Sequence, residues 1–238
     1  VGISADGAVV SAKNPRRWGK LLHVSAALEP SLNGAIVLVH VPGSRPLVAG
    51  TTGADIVLSD WLGEDVRLTA VVPRGARLQR SWPAEAGMIP EWAGAARPGT
   101  DEFTDVAGAR PGGRFVDFGA VHIVTTRALR DLAAQGVDAD VRRFRPNLVL
   151  ALDREPLPGS ILRVGSEVVL RASVPTPRCA IPGAAQAGLA RAPEVLRTIG
   201  GNRVAIPGLG QAALFGTYAE VVTTGSVAVG DPVAVEDA

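Results

Sequence analysis

Apolar residues along the chain gather in short runs separated by Gly and Pro, with no long stretch at helical spacing. Runs at 35–41, 66–72, 120–124, 147–152, 161–164, 167–173 and 218–222 are rich in Val, Ile and Leu and are bounded by turn residues, which predicts strands. The turn over 163–167 and the closing segment 226–233 suit a barrel better than a parallel sheet. The predicted class is therefore mainly β, an antiparallel Greek-key β-barrel with a few short helices. One helix is expected over 55–62 and a second over 126–134, the latter with Thr126 as cap and Gly136 as the left-handed residue beyond its end. A third is expected over 193–199, with Pro193 in its first turn and Gly200 behind it. Residues 73–113 are rich in Pro, Gly, Ala and Arg without periodicity, and are expected to form one long surface loop.

Composition narrows the function more by exclusion than by indication. The 238 residues suffice for one large all-β domain or two smaller ones. A net charge of +1 carries no bias toward nucleic acid or an anionic membrane surface. The sequence holds no run of eighteen apolar residues, so no membrane-spanning helix is expected. Abundant Ala, Gly, Val and Arg with few lysines suggests a GC-rich bacterial genome, and a cytoplasmic location is expected. His23, His40 and His122 are scattered, and Cys179 is the only cysteine, so neither an intrachain disulfide nor a zinc site of several close ligands is indicated.

That single sulfur is the most informative residue. Cys179 follows Pro175, Thr176, Pro177 and Arg178 in what reads as a strand-end loop, a placement that suits a ligand or a nucleophile. A small buried thiol is the competing reading, because free cysteine is among the most buried residues. A thiolate suits a soft or high-valent metal that arrives with most of its other ligands attached, and Arg178 beside it would favour the ionised form. Arg145 offers a rigid fork of donors and Asn147 an amide, the groups that a pterin edge or a phosphate requires; alternatively Arg145-Pro146-Asn147 merely turns the chain into the next strand. Lys13, Arg16 and Arg17 form a basic cluster beside Pro15 and Trp18 that suits a phosphate, with solvated surface as the plainer reading for Arg16 and Arg17.

Four motifs occur together and in order: Phe144-Arg145-Pro146-Asn147, Pro177-Arg178-Cys179, Phe215-Gly216-Thr217-Tyr218 and the Gly225–Pro232 segment. The set resembles the MOSC domain, the β-barrel named for the C-terminal part of molybdenum-cofactor sulfurase, and most of all its two-part members, which include the amidoxime-reducing components. Residues 6–13 resemble the end of the smaller N-terminal β-barrel of those proteins. The resemblance implies an N-terminal β-barrel over 1–72, a loop-rich connection over 73–113 and the MOSC barrel over 114–238. Such proteins usually carry a Tyr-Pro-x-Lys-Ser strand and a Gly-Asp-Arg upstream of the point where this chain opens on Val1, so a preceding segment with part of the cofactor site is expected to be missing.

The resemblance also implies a chemistry. Arg145, Asn147, Pro177, Arg178 and Cys179 match the molybdopterin pocket of the family, with the cysteine as molybdenum ligand. Lys13 matches a basic position that approaches the cofactor. Thr125 and Thr126 match a position facing its phosphate, a role compatible with capping a helix. Asp117 matches the pocket border, where a proton relay and a plain turn aspartate are both open. The implied activity is a molybdenum-cofactor oxidoreductase that removes oxygen from small N-hydroxylated substrates. Its electrons would come from a separate flavin, haem or iron-sulfur protein, with no nucleic acid or membrane partner. A carrier of molybdenum cofactor, or of sulfur on Cys179, is the alternative. A cysteine hydrolase has less support, since no His is spaced in sequence as its base.

Overall fold

The computed structural model describes residues 2–31, 34–71, 73, 75–105 and 119–237. They form two compact units: one from residues 1–82, 99–116 and 184–191, the other from residues 83–98, 117–183 and 192–238.

In the first unit, β1 (Gly2–Ser4) is followed by α1 (Pro15–Trp18), β2 (Ser25–Ser31), β3 (Gly34–His40), β4 (Leu47–Val48), α2 (Thr52–Leu62), β5 (Val66–Leu68), β6 (Arg77–Ser81) and β7 (Asp101–Asp105). The strands make three antiparallel groups, β1 with β5, β2-β3-β4, and β6 with β7. Thr51 caps α2 by accepting from Ala54 N at 3.3 Å, and Gly63 ends it at φ 81°. The helix lays Leu58 and Leu62 against Trp18, Val39, Val41 and Val66. Its polar side chains take the outer edge of β5: Ser59 Oγ accepts from Val66 N and donates to Val66 O, and Asp55 Oδ1 accepts from Leu68 N. β5 thus covers only the start of the run predicted over 66–72. The stretch expected as a continuous loop over 73–113 carries β6 and β7, paired from Arg77↔Asp105 to Ser81↔Asp101. Cross-strand contacts that do not depend on β-branched residues support this pair, including Arg77 over the Phe103 ring at 5.0 Å.

The second unit is built on β8 (Val121–Thr125), α3 (Thr126–Ala133), β9 (Leu148–Leu150), β10 (Ile161–Val164), β11 (Val168–Pro177), α4 (Pro193–Gly201), β12 (Arg203–Ile206), β13 (Gly210–Thr223) and β14 (Val233–Glu236). Its seven-stranded sheet has the order β14-β10-β11-β13-β8-β9, with β12 added to β13, and curls into a half-barrel. The chain is mainly β, as its short apolar runs predict. β8 and β9 run parallel because α3 and the following turn carry the chain back across the sheet; every other pair in this sheet is antiparallel. One core cluster lies among Ile123, Leu150, Leu162, Leu170 and Ala219. A second joins Met88, Val124, Leu132, Phe144 and α4, and the rings of Phe144 and Phe215 stack at 4.0 Å. Burying a side chain such as Phe144 is worth about 1.5–3 kcal/mol.

Candidate functional site

Prolines shape the Cys179 loop. Pro175 and Pro177 carry no N–H for the sheet ladder, so the β11–β13 register shifts between Ala172 and Pro175 and again before Pro177. The chain rejoins β13 through Arg178 N, which donates to Ala213 O at 2.9 Å, and then leaves the sheet with Cys179 partly buried. Thr176 Oγ1, in the wall just before this exit, is buried and has no hydrogen-bond partner among the described residues.

The Arg178 guanidinium reaches two partners. Its Nη2 donates to Phe144 O at 3.0 Å, and its Nη1 lies 3.3 Å from His122 Nε2. Beyond the cysteine, the buried Arg143 reaches Pro182 O at 3.4 Å while holding Asp138 through Nε at 2.7 Å. Arg178 and Arg143 therefore fasten the loop on both sides of the sulfur to the segment 138–147. That segment contains three arginines in close succession. Arg142 pairs with Asp140 and Arg143 with Asp138. The Arg142 hydrogen bonds hold the Asp140 carboxyl down to about 2. The Asp138 carboxyl is lowered by the Asp140 backbone N–H and then by Arg143.

Arg145 differs from its neighbours. It is the sole non-glycine residue with positive φ among the described residues, at 52°, it is exposed, and no carboxylate pairs with it among them. A non-glycine residue in this region carries backbone strain, here beside Phe144, which is locked in the core. Asn147 is anchored to His122 at both ends: its N donates to His122 O, and its Oδ1 accepts from His122 N, each at 2.8 Å. Its side-chain oxygen thus does what the turn reading requires, while its exposed Nδ2 makes no hydrogen bond among the described residues.

At the β8–α3 junction the cap is Thr125 rather than the expected Thr126. Thr125 Oγ1 accepts from Ala128 N at 3.1 Å, and Thr126 is the first helical residue. The expectation is displaced by one position because residue 125 keeps the extended ψ of 151° that β8 imposes. The same hydroxyl donates to Glu155, whose other carboxylate oxygen accepts from Thr217 Oγ1 at 3.3 Å. Burial pushes the Glu155 carboxyl up. Neither Glu155 nor His122 stands out in the sequence, since one lies in an ordinary polar turn and the other lacks any spacing to a second ligand.

Asn147 and Arg178 are thus linked through His122 in the second unit, Arg145, Pro177 and Cys179 adjoin this network as chain neighbours, and Thr125 and Thr126 lie at the end of β8. Lys13 belongs to the first unit, where its N donates to Ser11 Oγ at 3.2 Å and its O accepts from Ser81 N at 2.9 Å. The neighbouring Arg16 pairs with Asp101 and Arg17 with Glu64, so both are engaged by carboxylates. Asp117 lies outside the described residues.

The donor types present would suit a metal that arrives within a cofactor better than a bare ion. Among the described residues no group of three or more His, Cys, Asp or Glu is placed to hold a bare ion. A lone cysteine, together in the same unit with an arginine, an amide donor and a buried hydroxyl that lack partners among the described residues, would suit a metal that brings its own sulfur and oxygen ligands and an anionic tail. No described helix is long and apolar enough to cross a membrane.

A search of curated proteins found no match. The family model of the MOSC domain, a type associated with molybdenum-cofactor proteins, matches residues 112–234. That match covers more than half of the 238 residues and includes the whole Cys179 framework, so the chain belongs to the MOSC domain family.

Proposed function

We propose that this protein is a molybdenum-cofactor oxidoreductase that reduces small N-hydroxylated compounds, with Cys179 as the protein's ligand to the metal. The observation that carries the reading is the Cys179 loop itself, pinned by Arg178 and Arg143 to a segment that presents Arg145 in a strained conformation with no carboxylate partner among the described residues. Cys179 would hold the metal, Arg145 the anionic tail or the pterin edge, and Asn147 Nδ2 a carbonyl or ring acceptor. The first-turn N–H groups of α3, at Thr126, would add a positive end for an anion. Bound cofactor would supply a centre that breaks the N–O bond with two electrons and two protons, leaving N–H and releasing water. Those electrons are assigned to a separate flavin, haem or iron-sulfur protein.

The test is metal and pterin content after expression in a host that makes molybdenum cofactor, alongside Cys179→Ala. About one molybdenum per chain with oxidisable pterin, lost in the variant, followed by amidoxime-dependent oxidation of a reduced viologen, is the expected result. Binding without turnover on amidoximes, hydroxamates or hydroxylated bases would overturn the reductase reading in favour of a carrier. No molybdenum in the unsubstituted protein would overturn the cofactor reading.

A further inference from the structure

We propose that His122 is the positioning residue of the Cys179 loop, its neutral ring carrying the proton on Nδ1 and accepting from Arg178 through Nε2. The inference deepens the reading above, because it takes the loop bearing Cys179 as the working site. Its ground is a set of contacts that converge on one residue, through both its backbone and its ring.

His122 is buried, at 7% exposure. Its backbone is clamped on both sides by Asn147, with N donating to Asn147 Oδ1 and O accepting from Asn147 N, each at 2.8 Å. Its ring faces Tyr218 at a centroid distance of 5.5 Å. On the Nε2 side, Gly216 comes so close that a Cβ there would stand 2.6 Å from Nε2 and 2.5 Å from Ile123 O. The bare glycine, at φ 84°, is what leaves room for the ring beside the Arg178 guanidinium.

The direction of the Arg178 contact follows from the chemistry of its partners. A guanidinium has five N–H donors and no acceptor, and it stays protonated in proteins. The nitrogen 3.3 Å from Arg178 Nη1 must therefore offer a lone pair. In a neutral imidazole the proton then sits on Nδ1. With Nη2 donating to Phe144 O, the guanidinium spans two acceptors from separate segments, and Arg178 immediately precedes the sulfur-bearing residue. His122 thus ties β8, the segment 144–147 and the Cys179 loop into one support. It acts through Arg178 and not on a substrate.

The experiment uses the full chain without cofactor. With three histidines in the chain, nitrogen NMR of histidine-labelled protein, assigned with His122→Gln, reads the tautomer directly. An unprotonated Nε2 and a protonated Nδ1 at neutral pH are expected, with Arg178→Met collapsing the signal toward a tautomer mixture. A protonated Nε2 would overturn the proposal. The second readout is the rate at which Cys179, the only thiol, reacts with an aromatic disulfide at fixed pH. His122→Leu is expected to change that rate about tenfold, Arg178→Met to change it equally, and the double variant to add nothing, since coupled residues are non-additive. His122→Gln, whose amide oxygen can accept from Arg178, should stay within about twofold of the unsubstituted protein. Additive effects, or failure of Gln to rescue, would overturn the proposal. Should His122→Leu not melt cooperatively, the tautomer and Arg178→Met still decide. Molybdenum content keeps the two readings apart: an unloaded protein with an unprotonated Nε2 sinks the cofactor reading alone, whereas a loaded protein with a protonated Nε2 sinks only the positioning role.

Discussion

Arg145 sits in a backbone region that costs an L-residue on the order of 1–2 kcal/mol, at φ 52° and with no carboxylate partner among the described residues. The fold has a reason to hold the turn, because Phe144 is buried on one side and Asn147 is tied to β8 on the other. It has no packing reason to put arginine there, since the side chain is exposed. Asn tolerates this conformation far better. Arg145→Asn is therefore expected to raise the melting temperature by roughly 2–4 °C, as about 1 kcal/mol does for a chain of this size. The same change should weaken cofactor retention about tenfold through loss of a charge-assisted hydrogen bond. Calorimetry and molybdenum content of one preparation test both halves; unchanged retention would remove Arg145 from the site. At this scale the sequence offered Cys179, Arg178, Arg145 and Asn147 as candidates from residue type and neighbours. It missed His122, whose role depends on the register that sets β8 beside β13 and on a glycine opposite.

At the scale of elements, the β8–α3 junction holds a testable conflict. Glu155 is placed near a helix N-terminus, which favours negative charge, yet burial dominates and raises its carboxyl above the ordinary range. An acid whose native pKa is raised keeps its proton in the folded state after the unfolded chain has lost it. Its contribution to stability is then full below the unfolded glutamate value of about 4.3 and declines as pH rises toward the native value. Asp138 and Asp140 act in the opposite sense, since their carboxyls are lowered and their contribution is lost as pH falls. Glu155→Gln should leave that acid limb intact and remove only the decline. The melting temperature of the variant relative to the unsubstituted protein is expected to grow from pH 4 to pH 8, and a flat or falling difference would show Glu155 ionised in the native state. β8, β9, β10, β11 and the end of β13 were legible because apolar runs report burial directly, whereas β12 and the start of β13 were not predicted and β14 lies at 233–236, just past the closing segment 226–233. β6 and β7 were not legible, because Arg, Gln, Asp and Glu at their paired positions hide the pattern; the true cap of α3 depended on where β8 stops.

At the scale of the whole molecule, the family match and the compact unit that contains the site do not begin at the same residue. The match opens at residue 112, but the second unit also takes in residues 83–98. That short segment supplies Met88, 1% exposed, to the cluster formed with Val124, Leu132, Phe144 and α4. It also brings Gly87 so close to α4 that a Cβ would stand 2.1 Å from Gly200 O, and Glu91 Oε2 accepts from Gln211 N at 2.8 Å at the β12–β13 hairpin. Removing Met88 alone resembles a large-to-small core substitution, which costs about 2–5 kcal/mol. That is a large fraction of the roughly 5–15 kcal/mol by which domains are stable. A fragment of residues 117–238 is therefore expected to melt at least ~10 °C below the full chain, or without a cooperative transition, while Met88→Ala in the full chain should lose part of the same stability and keep the fold. Because Phe144 shares the cluster with Met88 and its carbonyl receives Arg178, the fragment should also lose the protection of Cys179 against the aromatic disulfide. A fragment of residues 117–238 that melts as the full chain does, with the thiol equally protected, would show that the segment 83–98 decorates the barrel and does not complete it.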